Sequence, residues 1–513
     1  MGRRRAVALI VVHLLIAAHV AHWLSTGRTV SPLEPSEAME FAKHSVVNAG
    51  LIFFALTAVS TLVLGRFFCG WGCHLVALQD LCRWLLLRLG MRPRPMRSRA
   101  LALVPLGAFV YMFLWPVWQR LQFGDSLAYR GTELTTEDFW ATFPPWWVAV
   151  PTFLVCGFAA VYFLGSKGFC TYGCPYGALF GAVDRLAPGR IRVTDACKRT
   201  GHCSLTCSSN VDVAREVRDY GMVVDPGCMK CMDCVSVCPN GALHFGFGRP
   251  ALRAKPREER SRPPRRSWTW PEELVLALAF GAVFASSYGL YGFVPFLLAL
   301  GLGGLGAFGV GVLVRLVRRA QVGLPGLALK RDGRMTGAGR AFVVLAVGGL
   351  LLTADSAAVK VEGRRSAGSF SPLEDVRAGW FLQPTTLTPH QLGHARDVVR
   401  HGRNALALSL VNDGRRHMEV GWASLFLGDE AAFVHHLDRA TRAVHVPAIA
   451  HVDLGRHWFV KGDLEGTAEH YAEALKIDPS LDFAYPALAR VLDALGRGEE
   501  ARAVLERMPR GER

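Results

Sequence analysis

The spacing of four cysteines near the middle of the chain constrains its fold more than any other feature. Residues 228–239 read CMKCMDCVSVCP, which places Cys228, Cys231, Cys234 and Cys238 at a C-x2-C-x2-C-x3-C-P spacing. Three thiolates on one short loop suit a cubane iron–sulfur cluster, which takes its ligands at separate iron corners. A structural zinc ion is the alternative, but it gathers four ligands around one point. The spacing therefore predicts a [4Fe–4S] loop.

A second, incomplete copy of this motif precedes the first. Residues 197–207 read CKRTGHCSLTC, with Thr200 where the second cysteine of the motif would stand. In two-cluster ferredoxins the last cysteine of each motif ligates the other cluster. We therefore expect one site with four thiolates and one with only three. The complete set is Cys207, Cys228, Cys231 and Cys234, and the incomplete set is Cys197, Cys203 and Cys238.

The missing ligand leaves three alternatives for the second site. It could hold a three-iron cluster, or a four-iron cluster completed by Thr200, His202 or solvent. It could also be empty and kept only for packing.

Long apolar runs flank these motifs, and 51% of all residues are hydrophobic. The first run is long enough to cross a hydrocarbon core of about 30 Å as a helix that rises about 1.5 Å per residue. The pattern predicts seven membrane spans, the last of them shortened by Asp355. The runs cover residues 6–24, 46–64, 100–118, 146–164, 272–314 (two spans) and 341–358.

The basic residues predict how these spans are oriented. Arginine-rich strings lie in 65–99, 165–271 and 315–340, and the positive-inside rule places these loops in the cytoplasm. The net charge of +16 is confined to the membrane half, because residues 359–513 hold 20 Lys and Arg against 21 Asp and Glu. We therefore expect a multi-pass inner-membrane protein with a cytoplasmic ferredoxin region, a periplasmic tail and no nucleic-acid partner.

Two further cysteine pairs follow the second and fourth predicted spans. The strings FCGWGCH and FCTYGCP contain Cys69, Cys73, Cys170 and Cys174, each pair at a C-x3-C spacing. Both spans run inward, so the pairs would emerge on one face of the membrane and could supply four thiolates to one more cubane cluster. Four unpaired thiols are the alternative. Cys82 and Cys156 stand apart and are interpreted as buried, unreactive thiols.

Over about residues 1–250 the chain resembles the NapH/NosR/CcoG-type membrane polyferredoxins, which pass electrons between the quinone pool, cytoplasmic clusters and periplasmic reductases. The resemblance rests on FCGWGCH, FCTYGCP and the tandem ferredoxin motif. It implies that eleven cysteines are cluster ligands. They are Cys69, Cys73, Cys170, Cys174, Cys197, Cys203, Cys207, Cys228, Cys231, Cys234 and Cys238. The chain departs from the pattern at His74 and Ser208, where the motifs would have proline, and at Thr200.

Four histidines lie in or near the first two predicted spans. They are His13, His19, His22 and His44, and three of them should lie near the outer surface. Such residues could bind a quinol head group or ligate haem. Interfacial histidines satisfied by water or backbone are the alternative.

The tail carries a 34-residue period. Gly428, Gly462 and Gly496 recur at this spacing, as do Gly421, Gly455 and Ala489. This is the period of tetratricopeptide repeats (TPRs), which stack helix pairs into a concave surface for protein partners. Ten of the 17 histidines lie in the tail. None shows a ligand spacing, so we expect them to form a solvated face.

These patterns predict a mainly α, polytopic helical membrane protein with an inserted α+β ferredoxin-like domain and a C-terminal α-solenoid. The predicted domains are a four-span membrane domain (1–189), a 4Fe–4S ferredoxin-like domain (190–248), a basic cytoplasmic linker (249–271), three further spans (272–358), a helical linker (359–413) and TPR repeats (414–513).

The function that follows is electron transfer. We expect two [4Fe–4S] clusters and a third that is incomplete or three-iron, with quinone as a further cofactor. The protein would relay electrons between the quinone pool and a redox partner, as an electron-transfer subunit more than a stand-alone enzyme. The alternative is a cluster-containing redox sensor or assembly scaffold that recruits partners through its TPR domain.

Overall fold

A computed structural model describes residues 2–93, 96–137, 145–257, 268–381 and 386–508. Parts of the predicted basic strings, at 94–95 and 258–267, lie outside these described residues. So do residues 138–144 of the predicted outer loop, residues 382–385 of the predicted helical linker and the last five residues of the predicted repeats. The described chain divides into two compact units, the first made of Met1–Phe284 and Phe296–Val347, and the second of Ala285–Pro295 and Gly348–Arg513.

Helices make up most of the first unit. They are α1 Gly2–Thr26, α2 Met39–His44, α3 Ala49–Leu64, α4 Phe67–Trp71, α5 His74–Arg88, α6 Val104–Phe109, α7 Trp115–Gln122, α8 Trp146–Phe153, α9 Ala160–Leu164, α10 Gly168–Tyr172, α11 Pro175–Asp184, α12 His202–Thr206, α13 Val213–Tyr220, α14 Asp233–Ser236, α15 Trp270–Ser287 and α16 Phe296–Arg318. The last turn of α15 belongs to the second unit, and the long helix α17, Gly337–Phe370, begins in the first unit and ends in the second.

Among the described residues, five helical segments are long and apolar enough to cross a membrane, which supports a multi-pass membrane protein. They are Gly2–Thr26, Leu101–Gln122, Trp146–Leu164, Phe296–Arg318 and Gly337–Arg377. Only 6% of the most apolar window of the first and of the last segment is buried, so most of their apolar side chains are free to contact lipid. The segments Leu101–Gln122 and Trp146–Leu164 each contain a π-helical turn in mid-span, at Val110–Leu114 and Leu154–Ala159.

The other two predicted spans differ from these five. The second predicted span is the helix α3, which has 16 residues. The fifth is α15, whose first turn carries Glu272 and Glu273. Glu273 is buried and accepts hydrogen bonds from Ser98 Oγ (2.6 Å) and the amide of Arg99 (3.0 Å). This carboxylate anchors the start of α15 to a loop, and the count of seven spans stays a prediction.

Short sheets join the helices of the first unit. The strands are β1 Thr29–Val30, β2 Val46–Asn48, β3 Gly131–Glu133, β4 Thr135–Thr136, β5 Arg190–Val193, β6 Leu243–Gly246, β7 Val322–Leu324, β8 Leu327–Arg331 and β9 Arg334–Met335. The pairs β1–β4 and β5–β6 and the sheet β7–β8–β9 are antiparallel, whereas β2 and β3 are parallel.

The cysteine motifs of residues 197–238 lie between β5 and β6. In this pair Arg190 lies opposite Gly246 and Val193 opposite Leu243, so the sheet closes the ends of the segment. The helices α12, α13 and α14 fold over it around a small apolar core that includes Ile191, Val217 and Leu243. The sheet thus holds both cysteine motifs in one compact region.

Among the described residues of the second unit, every element of regular secondary structure is a helix. Its helices are α18 Glu374–Gly379, α19 Pro389–Leu408, α20 Gly414–Phe426, α21 Glu430–Thr441, α22 Ala448–Val460, α23 Leu464–Ile477, α24 Ala484–Ala494 and α25 Gly498–Glu506, together with the C-terminal part of α17. Packing of α20 on α21, of α22 on α23 and of α24 on α25 makes three successive helix pairs.

The 34-residue period corresponds to the turn inside each pair. Gly428, Gly462 and Gly496 all have positive φ, at 88°, 81° and 75°, which glycine adopts at little cost. Asp429 and Asp463 then cap the following helices by accepting hydrogen bonds from Ala432 N and Gly466 N. The repeated glycine and aspartate therefore reverse the chain at equivalent points of successive helix pairs.

Candidate metal centres

Two equivalent turns carry the C-x3-C pairs. The helix α3 ends before Gly65 (φ 68°), and α9 ends before Gly165 (φ 106°). A five-residue helix follows in each case: α4 carries Cys69 and α10 carries Cys170. Each second cysteine is then the N-cap of the next helix, Cys73 before α5 and Cys174 before α11. The same local geometry therefore places both pairs directly after an apolar helix.

The four thiols of these pairs lie together. Cys69 and Cys170 share one buried core with Val76, Phe180 and Met229, and Cys73 packs against it. Burial raises the pKa of Cys174 to about 12, and the neighbouring Cys170 and Cys69 thiolates contribute to the rise. Burial raises the pKa of the Cys73 thiol as well, and the other three cysteines all act on it. A bare thiolate is unfavourable here, and bound iron would stabilise it.

Polar groups around this cluster of thiols are suited to a bound anionic centre. Gln79 Nε2 donates a hydrogen bond to Cys170 Sγ at 2.8 Å. The guanidinium of Arg66 is buried, and its Nε has no hydrogen-bond partner among the described residues. Buried donors of this kind stabilise thiolate ligands and the charge of a cluster. The residues present therefore fit an iron–sulfur cluster.

The ferredoxin motif forms a second group of four thiols. Cys228, Cys231 and Cys234 are buried, and residues Lys230 (φ 52°) and Met232 (φ 64°) between them adopt left-handed backbone conformations that curl the loop. Burial, with the thiolates of Cys228, Cys231, Cys207 and Cys203, raises the pKa of Cys234. Burial likewise raises the pKa of Cys207 to about 12, with contributions from Cys228 and Cys231. Cys207 is therefore a neighbour of the ferredoxin loop, and Cys203 of the incomplete motif also acts on Cys234.

The incomplete motif forms a third group around an open cavity. Burial raises the pKa of the Cys203 thiol, and Cys197 and Cys238 contribute to the rise. A cavity of about 710 Å³ is lined by these three cysteines and by Thr200 and His202. Its wall also includes the basic residues Lys198, Arg199, Arg215, Arg218 and Arg257. Thr200 thus lines the same cavity as the three thiols, and the basic residues of the lining outnumber its two carboxylates, Asp195 and Asp212.

We expect the substitution Thr200→Cys to complete this third site. A fourth thiolate beside Cys197, Cys203 and Cys238 would convert a three-iron or ligand-deficient cluster into a four-iron cluster. Electron paramagnetic resonance of anaerobically purified protein would show the oxidised three-iron signal disappear. His202→Cys is the matched control, because His202 lines the same cavity. A spectrum that Thr200→Cys leaves unchanged, or that only His202→Cys changes, would place the open corner elsewhere.

The first two groups of thiols lie against each other. Gly70 lies between Cys69 and Cys73, and a Cβ atom built on it would stand 2.2 Å from the carbonyl oxygen of Met229. Trp71 Nε1 donates a hydrogen bond to the carbonyl of Lys230 at 3.0 Å. Met229 itself belongs to the buried core around Cys69 and Cys170. The C-x3-C turn and the ferredoxin loop are therefore in direct backbone contact, which only glycine at position 70 permits.

Buried charges lock the same loops together. Asp184, at the end of α11, accepts hydrogen bonds from the amide of Arg66 (3.0 Å) and from Arg190 Nη2 (2.9 Å), and it also pairs with Lys230 Nζ. The side chains of Asp184, Arg190 and Lys230 are at most 1% exposed. A similar pair joins Asp80 to Lys167. Sequence reasoning missed these residues, although a lysine inside GSKGFC and inside CMKC was a visible signal.

The histidines of the first two helices already have partners. His13 Nδ1 lies 2.8 Å from the carbonyl oxygen of Leu9, and His19 Nε2 lies 2.9 Å from that of Val30. His22 Nδ1 contacts Thr29 Oγ1 at 3.2 Å, and His44 lies 3.7 Å from the carboxylate of Glu40. These contacts agree with the interfacial alternative. Cys82 and Cys156 are both buried, as expected.

Within the described ranges, no three or more His, Cys, Asp or Glu side chains are gathered tightly enough to hold a single metal ion. A cubane cluster does not need such a group, because each thiolate binds a different iron corner.

Comparison with known families identifies this region. The model of the family described as "4Fe-4S binding domain" matches residues 48–92 and 146–194. These two stretches contain both C-x3-C pairs and the helices that precede them. The chain therefore carries a 4Fe-4S binding domain in its membrane half.

Curated relatives match about two fifths of the chain. Ferredoxin-type protein NapH of Haemophilus influenzae is 28% identical over 237 residues, which are 43% of this chain and 76% of that protein. YccM of Escherichia coli (strain K12) is 28% identical over 220 residues, 41% of this chain and 59% of that protein. Methylamine utilization ferredoxin-type protein MauN of Methylorubrum extorquens is 27% identical over 222 residues, 40% of this chain and 73% of that protein. The chain is similar to ferredoxin-type electron-transport proteins, and it spans less than two thirds of YccM.

One solved structure, the crystal structure of MamA, aligns with part of the chain. The alignment covers 34% of this chain and 94% of that one at 18% identity, with a TM-score of 0.21.

Proposed function

We propose, on the premise that its membrane half carries a 4Fe-4S binding domain of the ferredoxin type, that this protein relays electrons through three iron–sulfur sites. The first site would be ligated by Cys69, Cys73, Cys170 and Cys174, and the second by Cys207, Cys228, Cys231 and Cys234. The third would be ligated by Cys197, Cys203 and Cys238, with Thr200 or His202 at the open corner. The grouping of thiols described above supports this assignment.

The contact between Gly70 and Met229 is the observation that carries the proposal. It brings the C-x3-C turn and the ferredoxin loop to van der Waals distance, and the Trp71–Lys230 hydrogen bond adds a second link. Cys234 in turn interacts with Cys203 of the third group. Three sites in a row, with backbone contact between the first two, suit stepwise electron transfer better than isolated structural roles.

Residues around the proposed sites would stabilise the negative charge of a bound cluster. When bound, each cluster supplies reversible one-electron chemistry. Arg66 places a buried positive charge beside Cys69, and Gln79 donates a hydrogen bond to Cys170. Burial of Cys69, Cys170, Cys228 and Cys231 keeps water away from the ligands. Positive charge and hydrogen-bond donors favour the reduced, more negative state of a cluster, and exclusion of water protects it.

The partners follow from the same proposal. Quinol is the proposed electron source or sink at the membrane, and the helical tail would recruit a protein partner through TPR-type repeats. The arginine-rich loops support an inner-membrane protein whose ferredoxin region lies in the cytoplasm and whose tail lies in the periplasm. The domain boundaries expected from the sequence remain part of this proposal.

Anaerobic reduction by a quinol tests the relay. We expect a reduced quinol analogue to transfer electrons to the clusters of the purified protein and so to bleach their absorbance, because the first site lies beside an apolar helix. Gly70→Val should slow reduction of the second site, since its side chain would push the turn away from Met229. Gly90→Val is the matched control, because Gly90 has no neighbour within 4 Å of an added Cβ, although its positive φ makes valine strained there as well.

The opposite result would favour the sensor or scaffold. If quinol leaves all clusters oxidised while dithionite reduces them, the clusters are present but not connected to the quinone pool. If quinol reduces all sites at the same rate in Gly70→Val and in Gly90→Val, electrons do not pass through the loop contact.

A further inference from the structure

Two histidine pairs occupy equivalent places in successive helix pairs of the tail. His417 on α20 and His436 on α21 bring their Nδ1 atoms to 2.9 Å, and His451 on α22 and His470 on α23 bring theirs to 3.1 Å. The two pairs are 34 residues apart in the sequence. The expected solvated face is therefore wrong for these residues, since His417 is only 8% exposed and the others are half-buried.

Packing of the helix pairs does not require these histidines. A further 34 residues along, the same positions of the third helix pair hold Tyr485 and Val504. Those residues pack in the apolar core or against it. The first two helix pairs therefore carry histidines that helix packing does not need. We take this as an indication that the histidines bind a ligand.

The charges around the two pairs have opposite sign. Arg439 lies near both members of the first pair, and Arg403 lies near His436. A third histidine, His435, is also close to both. Asp429 is the opposing, negative charge near His436. The second pair lies near four carboxylates. They are Glu469 and Glu473 near both histidines, and Asp438 and Asp463 near His470. A cation would be repelled at the first pair and attracted at the second.

Both pairs present neutral imidazoles at neutral pH. Burial, together with positively charged neighbours, lowers the pKa of His417 and of His436 to about 4. Burial also lowers the pKa of His451 and of His470, against the opposing carboxylates. Neutral imidazole is the form that ligates metals.

We propose that His451 and His470 bind one divalent transition-metal ion of the Zn²⁺ class through their Nδ1 atoms, and that His417 and His436 do not. Zinc–nitrogen bonds of about 2.0–2.1 Å at angles of about 90–110° separate two ligand nitrogens by about 2.8–3.4 Å. The 3.1 Å between His451 Nδ1 and His470 Nδ1 lies inside this range.

Glu473 is the proposed third ligand. It follows His470 by three residues on α23 and so shares its face of the helix. Its carboxylate now pairs with Lys476, and it would turn toward the metal on binding. In the metal-free pair one Nδ1–H donates to the other Nδ1, so the donating ring must carry its proton on Nε2 when metal binds. Water would complete the coordination.

Zinc uptake by full-length protein, purified in detergent with its clusters assembled, tests the proposal. Every protein in the experiment should carry His390→Gln and His394→Gln as its common background. These substitutions remove another pair of neighbouring histidines on α19, whose ring centroids are 4.5 Å apart. In this background, His451→Tyr with His470→Val copies the third helix pair. We expect equilibrium dialysis against Zn²⁺ alone to show a loss of one zinc ion per chain.

The first histidine pair supplies the matched control. His417→Tyr with His436→Val makes the same replacement in the arginine-rich surroundings, and we expect no loss of zinc. Equal zinc binding by all three proteins, or an equal loss in both variants, would overturn the proposal. If the double variant loses helical circular dichroism, His470→Gln alone decides, because it leaves α22 unchanged. We expect it to weaken Zn²⁺ binding at least about tenfold, and unchanged affinity would refute the site.

Discussion

Replacing Cys73 or Cys174 with serine should remove the same cluster from the protein. The two residues lie on different turns, 101 positions apart, yet their thiols belong to one buried group with Cys69 and Cys170. A proposed [4Fe–4S] cluster that loses one of its four thiolates in this buried setting should fail to assemble or lose iron. We expect each variant to lose about four iron atoms per chain and the same spectroscopic component of the reduced protein.

Iron and acid-labile sulfide analysis, with electron paramagnetic resonance of the reduced protein, would measure this result. Cys82→Ser is the matched control, because Cys82 is a buried free thiol outside all three groups. We expect it to leave the iron content unchanged. Loss of different components in Cys73→Ser and Cys174→Ser would show that the two turns do not share a cluster.

The second large effect concerns Asp184, which should be needed for the cysteine loops to stay assembled. Its carboxylate is fully buried and balances the charges of Arg190 and Lys230, which are themselves buried. In Asp184→Asn two cations would remain in the interior without their counter-charge. Breaking a buried ion pair by removing one partner costs about 3–5 kcal/mol. We therefore expect the ferredoxin region to unfold at markedly lower temperature and to release its clusters.

Thermal loss of cluster absorbance in detergent would follow this effect. Asp219→Asn is the control in the same region, since Asp219 pairs with Arg218, whose side chain is 39% exposed. A surface pair of this kind contributes about 0–1 kcal/mol. If Asp184→Asn and Asp219→Asn lose their clusters at the same temperature, the buried network does not hold the loops together.

Cysteine spacing by itself determined the iron–sulfur chemistry expected of this protein. Ligands of one cluster loop are separated by two residues, so the chain itself keeps Cys228, Cys231 and Cys234 close together. Apolar runs are equally local, because a helix needs only enough consecutive apolar residues to cross a bilayer. The 34-residue period is local too, since each repeat places glycine at the same reversal of the chain.

Contacts between distant segments could not be predicted in the same way. The approach of Gly70 to Met229 depends on how two loops pack across about 160 residues of sequence, and no periodicity encodes it. Asp184 and Arg190 are 6 residues apart, but Lys230 is 46 residues from Asp184, so the burial of all three charges together is decided only when the two segments meet. The sequence supplied each charge but no indication of its partner.

In the tail, the repeat could be predicted from the sequence but the histidine pairs could not. Its repeat length was readable from the sequence because it reflects the number of residues in one helix pair. The pairing of His451 with His470 was not, because a separation of 19 residues joins two helices whose relative rotation sets which side chains meet. Local spacing therefore determined the cysteine loops, the membrane helices and the repeat. Tertiary packing alone decided which thiols, charges and imidazoles became neighbours, since side chains on separate elements meet only through the register of the helices and loops that carry them.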